Sequence, residues 1–407
     1  MRSLKNLFPL LVSLVAACTV VSLLIQEYPY HRDEGVTLDA GVRVLKGQVP
    51  YRDFFHITTP GAAYLLALTF EIFGVNLLSA RILVAFFLLI FLVVLFIIGR
   101  RLMGNPLLVS FGIFIIALLE TLPLMSISTH SLAVFFSILA LWVILFVRSP
   151  SGMILPGLLA SCSALINQNI GGFAILGAGV LAFTGPWFLS HARPWAQGLR
   201  IALVAPMIAY LGWKGALRDS LSDTVLFTFA SYREFNLYPY YSFELGLLRD
   251  NVNRFAAGKV SLTSLGQLGL LATTGFLPFI IYPLYLVSSL FRRQWETWAL
   301  SFMGLCLFLS AWIRADSYHV FHTLSPFVLL SLFLLSSLWK DVRRKDRLGL
   351  FLFSLLGTSF FLILLDGLLF LSAPQANPSH PVKTERGTMY TITDIEASML
   401  NRLVTYI

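Results

Sequence analysis

The chain has 407 residues, of which 57% are hydrophobic and 12% charged, with a formal net charge of +9. Soluble domains carry about a quarter charged residues, so this composition, with a mean hydropathy of +0.80, excludes an ordinary soluble fold and indicates a chain lying mostly in lipid. The basic excess is scattered among apolar blocks and makes no face on which a duplex could lie, which excludes a nucleic acid as partner.

The first apolar block covers 7–25. Val15-Ala16-Ala17-Cys18 behind Arg2 and Lys5 imitates a lipoprotein attachment site, but the sequence stays apolar to Ile25. That length suits a retained spanning helix better than a cleaved signal. Further blocks follow at 82–99, 106–124, 131–147, 152–166, 170–189, 200–214, 265–290, 297–313, 320–339 and 348–371. The stretch from Ser149 to Ser190 carries no charge. As one helix it would be about 63 Å long, twice the hydrocarbon thickness. It is expected to turn at Asn167-Gln168-Asn169, ahead of Gly171-Gly172. Cys18, Cys162 and Cys306 sit singly within apolar runs, which argues against a disulfide framework or a zinc site.

These blocks predict an all-α polytopic membrane protein with about eleven spans. Charge supports that parity. One side collects Arg2, Lys5, Arg100, Arg101, Arg148, Arg193 and Arg200, with Arg292, Arg293 and the basic run 340–347, while nearly all carboxylates fall on the other. The N-terminus is therefore placed in the cytoplasm, and the segments 26–81, 215–264 and the tail from 372 face outward. Within 26–81, the apolar stretch 60–74 is too short to span easily and reads as an interfacial helix. The expected organisation is a membrane module over 1–371 and an outward-facing segment over 372–407, the start of a larger domain, with a helix-like stretch at 393–404.

The first outward loop holds the most informative text. It runs Tyr30-His31-Arg32-Asp33-Glu34-Gly35, Asp39, Gly47-Gln48-Val49-Pro50-Tyr51-Arg52-Asp53 and Thr59-Pro60-Gly61. Its carboxylates follow closely on a spanning helix and so lie near the depth of a lipid headgroup. Transfer of a sugar from a lipid phosphate to a hydroxyl needs a base near the acceptor and positive charge near the leaving phosphate. A positioned carboxylate supplies the first, and the planar, permanently charged guanidinium supplies the second. Mixed charge also simply keeps a loop solvated, and composition alone does not separate the two readings.

This loop resembles that of the GT-C superfamily, in particular glycosyltransferase family 39, with its protein O-mannosyltransferases and lipid A aminoarabinose transferases. The resemblance rests on Asp33-Glu34 soon after the first helix, on Gly47 to Asp53, and on Pro60-Gly61. It covers about residues 7–100 and extends to the rest by topology alone. It implies inverting transfer of a monosaccharide from a polyprenyl-phosphate donor to a lipid, glycan or protein acceptor. Asp33 would be the catalytic base or acceptor-binding carboxylate, with Glu34 as its neighbour. Relatives also use an acidic residue in the second outward loop, where Glu120 is the carboxylate present and His130 the other polar candidate.

A second constellation, Arg314-Ala315-Asp316-Ser317-Tyr318-His319, lies between the ninth and tenth blocks. Ionisable groups at a membrane boundary are costly without partners and mark functional suspects. Arg314 is expected to grip the donor phosphate, with Asp316 holding the guanidinium and His319 adding a hydrogen bond. Arg52 and Arg81 are further phosphate candidates. Asp53, Glu120 and Tyr51 are candidates for the sugar or acceptor. A divalent cation such as magnesium or manganese is compatible with these carboxylates, and nothing in the spacing requires one. No other cofactor is implied.

Aromatic residues Tyr232, Phe235, Tyr238, Tyr240 and Tyr241 in 215–264 read first as interface anchors, and the run 340–347 as a topology anchor on the inner leaflet. The expected location is a bacterial cytoplasmic membrane, with the site and the C-terminus periplasmic. The competing readings are a transporter or flippase of lipid-linked sugars and a non-catalytic subunit of the same fold. Transporters show repeats and midplane charges, whereas here only Asp366 falls within a span.

Overall fold

A computed structural model describes residues 32–121, 128–147, 154–188, 204–227, 271–314, 317–343, 346–372, 380–384 and 387–391, with isolated positions between 246 and 269. The predicted first span, the aromatic cluster at 232–241, Asp316 and the predicted helix at 393–404 lie outside the described residues. Asp33, Arg314 and Asp366 are described by backbone position alone.

The helices are α1 (Arg32–Leu45), α2 (Gly61–Phe73), α3 (Leu77–Met103), α4 (Pro106–Thr121), α5 (Thr129–Phe146), α6 (Ile154–Ile166) and α7 (Gln168–Phe188). They continue with α8 (Val204–Trp213), α9 (Leu217–Leu221), α10 (Pro278–Arg292), α11 (Trp295–Ser310), α12 (Ser317–Phe321), α13 (Ser325–Arg343) and α14 (Arg347–Ser372). Among the described residues, the apolar blocks from 82 onward are largely helical. Four helical stretches, Leu77–Met103, Thr129–Phe146, Gln168–Gly185 and Arg347–Leu365, are long and apolar enough to cross a membrane, and shorter apolar helices accompany them.

The longest helix shows why the ends fall where they do. In α3 the Asn76 side chain accepts a hydrogen bond from Ser79 N at 2.7 Å, an N-cap that satisfies a first-turn donor. At the other end Gly104 adopts the left-handed conformation, φ 69°, which ends a helix at little cost in a residue without Cβ. Between them, 27 residues reach about 40 Å, enough for a hydrocarbon core of about 30 Å. Arg100 and Arg101 occupy the last turn, where cations oppose the helix dipole.

The charge-free stretch turns where expected. Asn167 Oδ1 accepts from the backbone N–H of Asn169 and Ile170, both at 3.2 Å, and so caps α7 just after α6 ends. A Cβ on Gly171 would lie 2.0 Å from Ala164 Cα. Only glycine lets the two helices close so tightly side by side.

Two expectations about 26–81 need correction. Residues 32–45 form helix α1 rather than loop, and α3 begins at Leu77, so Arg81 stands inside a spanning helix. A helix was legible in principle, because 32–45 is amphipathic and lacks proline, but its carboxylates gave it the look of a loop. A third correction concerns the tail. It contains an antiparallel hairpin, β1 (His380–Thr384) with β2 (Gly387–Thr391), with His380 opposite Thr391, so the fold is not helical throughout.

Charge marks the two ends of the bundle. Arg101 Nη2 lies 2.9 Å from Glu296 Oε1, joining the end of α3 to the start of α11. That end also carries Arg292 and Arg343 in the last turns of α10 and α13. The opposite end is formed by the segment 46–60, the 166/168 break and the stretches 310–314 and 317–324. The apolar core between them unites α3, α4, α5, α7, α11 and α13.

Candidate active site at the loop end of the bundle

α1 places Asp33 and Glu34 in its first turn. Glu34 is fully buried and faces Arg81, whose Nη2 donates to Oε2 at 3.1 Å and to Oε1 at 3.2 Å, with Nε at 3.3 Å from Oε1. The side chains are 0% and 2% exposed. An isolated buried charge would cost several kcal/mol, so each residue answers for the other. The pair pins α1 to α3, and an apolar cluster of Val42, Leu66, Phe70, Ala80 and Val84 packs α1, α2 and α3 together.

The segment after α1 is a built turn. Tyr51 sits in the left-handed region at φ 71°, a conformation that costs a non-glycine residue about 1–3 kcal/mol. Its buried ring, a hydroxyl donating to Thr58 O at 2.7 Å and its N–H donating to Phe54 O at 2.9 Å hold it there. Asp53 closes the turn by accepting from Val49 N at 2.7 Å. It also receives Arg52 Nε at 2.9 Å and Nη2 at 2.8 Å, which with the Val49 bond holds its carboxyl down at about 2. Arg52 and Asp53 are thus turned toward each other, and Tyr51 is directed inward.

The turn docks on α8, α9 and the π-helical turn that follows them. Val49 and Tyr51 pack with Leu211 and Ala216, Phe55 meets Phe227 edge-on at 5.1 Å, and His56 N–H donates to Asp223 Oδ2 at 3.3 Å. Burial pushes the His56 imidazole down to about 4 and raises the Asp223 carboxyl above its ordinary range, partly countered by the His56 N–H. Asp223 stands in a π-helical turn, Ser222–Leu226, a rare local geometry enriched at functional sites.

Thr59-Pro60-Gly61 docks on the break between α6 and α7. Thr59 N–H donates to Gln168 Oε1 at 3.0 Å, Thr59 Oγ1 to Ala164 O at 2.7 Å, and Gln168 Nε2 to Ile57 O at 2.9 Å. A Cβ on Gly61 would lie 2.5 Å from Leu165 O. The neighbouring Asn169 amide donates to Ser310 O, at the end of α11. Ser310 leads into the 3-10 turn Ala311–Arg314. The Asn-Gln-Asn break therefore ties the first loop to the segment that carries Arg314, and both share one end of the bundle.

Glu120 and His319 stand at the two ends of a further cluster at this end, joined through His322 and His130. Glu120 Oε2 lies 2.7 Å from His322 Nδ1, with the side chains 4% and 1% exposed. Ser131 Oγ is 3.0 Å from the same nitrogen. His130 stacks over His322 at 6.2 Å and meets His319 edge-on at 4.7 Å. His322 is the residue the sequence reading missed. The signal was available, since His319 and His322 are three apart and can share one face of a helical turn. Among the described residues, no group of three or more His, Cys, Asp or Glu side chains could hold a metal ion.

Helical membrane bundle and acidic loop-end site together define an integral membrane protein of a recognisable architecture. The fold is similar to that of ArnT from Cupriavidus metallidurans, solved bound to undecaprenyl phosphate, with a TM-score of 0.52 over 97% of this chain and 84% of that one, at 13% sequence identity. No family model matches the sequence, and no curated protein matches it. The likeness is one of fold.

Proposed function

We propose that the protein is a glycosyltransferase that moves a monosaccharide, with inversion, from a polyprenyl-phosphate donor to an acceptor at the outer face of a bacterial cytoplasmic membrane. The observation that carries this reading is the tie from Thr59 through Gln168 and Asn169 to Ser310, which brings the acidic loop and the arginine segment to one end of the bundle. The ArnT fold, seen with undecaprenyl phosphate in its own case, supports a donor of that class.

In this reading Asp33 removes the proton from an acceptor hydroxyl or amine. The acceptor attacks the anomeric carbon on the face opposite the phosphate. The bond from carbon to phosphate oxygen breaks, and its electron pair leaves with the polyprenyl phosphate. Arg314, steadied by Asp316, and His319 bind that phosphate, where fixed donors stabilise charge that grows in the transition state. Glu34 and Arg81 act behind Asp33. By locking the first turn of α1 against α3, they fix where the next carboxylate stands. Arg52, Asp53 and Tyr51 shape the turn beside the acceptor, and any divalent cation would be an addition to this set.

The test is a transfer assay on purified protein with labelled polyprenyl-phosphate sugars and candidate acceptors. The expected result is donor consumption with product formation in wild type and none in a folded Asp33→Asn variant. Full turnover in Asp33→Asn removes Asp33 from the mechanism. Movement of intact donor across the bilayer without consumption makes the protein a transporter instead.

A further inference from the structure

Glu120 is a carboxylate near the end of an apolar helix, and a group so placed is costly without a partner. Its partner is His322, at 2.7 Å. Nδ1 faces both Glu120 and Ser131 Oγ, so the hydrogen-bond network assigns the proton to Nδ1 and directs Nε2 to the other edge of the ring. His130 lies parallel to that ring, with an interplanar angle of 19°. Its backbone is held at the start of α5, where the main-chain N–H of His130 donates to Ser128 Oγ at 3.1 Å. His319 stands almost perpendicular to His130, at 86°. Three histidines, from a chain that has seven, thus form a row behind one carboxylate, at the junction of α4, α5 and the segment 317–323.

The row ends next to the proposed phosphate site. His319 lies on α12, a helix of five residues, and is buried against its neighbours. The other charged residues of that segment are Arg314 and Asp316. α4 contributes only Glu120 and α5 only His130. Imidazoles that ligate metals are commonly oriented by a carboxylate behind them, and here a carboxylate stands at the far end of the row, two rings away from His319.

We propose that Glu120, His322 and His130 are positioning residues that set the orientation of His319 toward the phosphate of a polyprenyl-phosphate ligand. This rests on the donor assignment above. In it, Glu120 fixes the tautomer and tilt of His322, His322 supports the plane of His130, and His130 holds the His319 ring edge-on. His319 then presents its ring edge in one defined direction when the phosphate arrives.

A double-mutant cycle separates positioning from mere support of the fold. The affinity of the full chain for undecaprenyl phosphate is measured in lipid nanodiscs for wild type, Glu120→Gln, His319→Asn and the double variant. Each single change is expected to weaken binding about 5–10-fold, and the double variant to bind no more weakly than His319→Asn alone. An equal loss from Glu120→Gln in both backgrounds, or no loss in either, overturns the proposal. If Glu120→Gln does not fold, His322→Phe, which keeps the ring and its stack, enters the same cycle with the same expectation. Wild-type protein that does not bind undecaprenyl phosphate at all overturns the donor assignment itself.

Discussion

Arg81 and Glu34, 47 positions apart, meet as a buried pair with the guanidinium 3.1 Å from the carboxylate. The contact converts the start of the acidic loop into a fixed extension of a spanning helix. Removing one partner leaves the other charged and buried, a change that costs about 3–5 kcal/mol. Arg81→Leu is therefore expected to lower the melting temperature in detergent sharply. Arg81→Lys should recover only part of the loss, since a point charge cannot reproduce the fork. A double change of both residues to leucine should cost less than the two single changes summed. Simple additivity would show that the two side chains are not coupled.

Gly61 offers a steric test of loop docking. Gly61→Ala puts a methyl group 2.5 Å from the Leu165 carbonyl oxygen, which nothing but a backbone shift can relieve. The expected outcome is faster proteolysis of the segment 48–60 and loss of transfer activity. Gly212→Ala, with nothing within 4 Å of the new atom, is the matched control and should leave both unchanged.

Gln168 is the hinge pin between loop and break. Gln168→Leu removes its bonds to Thr59 N and Ile57 O and leaves two backbone groups to find new partners. Both groups are only part-buried, so water takes up the lost bonds and the cost stays near the lower end of the roughly 1–3 kcal/mol of a fully buried unsatisfied group. Limited proteolysis within 48–60 should rise, and the melting temperature should fall by less than in Arg81→Leu.

His56 predicts a pH dependence. Burial holds its imidazole at about 4 against an ordinary 6.5, so the unfolded chain binds the proton first as pH falls. The stabilisation is fully present above pH 6.5 and is lost progressively down to about 4. The melting temperature of wild type should therefore drop across this window more than that of His56→Phe, which cannot take up a proton. Parallel curves would remove His56 as the cause.

Much of this was legible because lipid imposes simple demands. Helices over 77–103, 129–146 and 347–372 follow from apolar length, and the turn at Asn167 from a stretch too long to cross once. The basic end follows from charge sorting. The contacts that build the site were less legible. Arg81 lies 47 residues from Glu34, and nothing local in the sequence says that they pair. Asp53 stands out in the sequence as a candidate for the sugar or acceptor, but its bonds to the Val49 N–H and the Arg52 guanidinium depend on how the turn folds. Gln168 looked like part of a helix break, and its second task, holding Ile57 and Thr59, depends on tertiary placement alone. His322 was hidden by lying inside an apolar block.

Mapping a photoreactive undecaprenyl phosphate, with the reactive group beside the phosphate, tests the shared site most directly. Cross-linked peptides should come from both the first loop, between 32 and 60, and the segment 311–323, and an excess of unlabelled ligand should suppress both together. Adducts confined to the opposite end of the bundle, around Arg101, Arg292 and Arg343, would contradict the placement of donor and acidic loop at one rim.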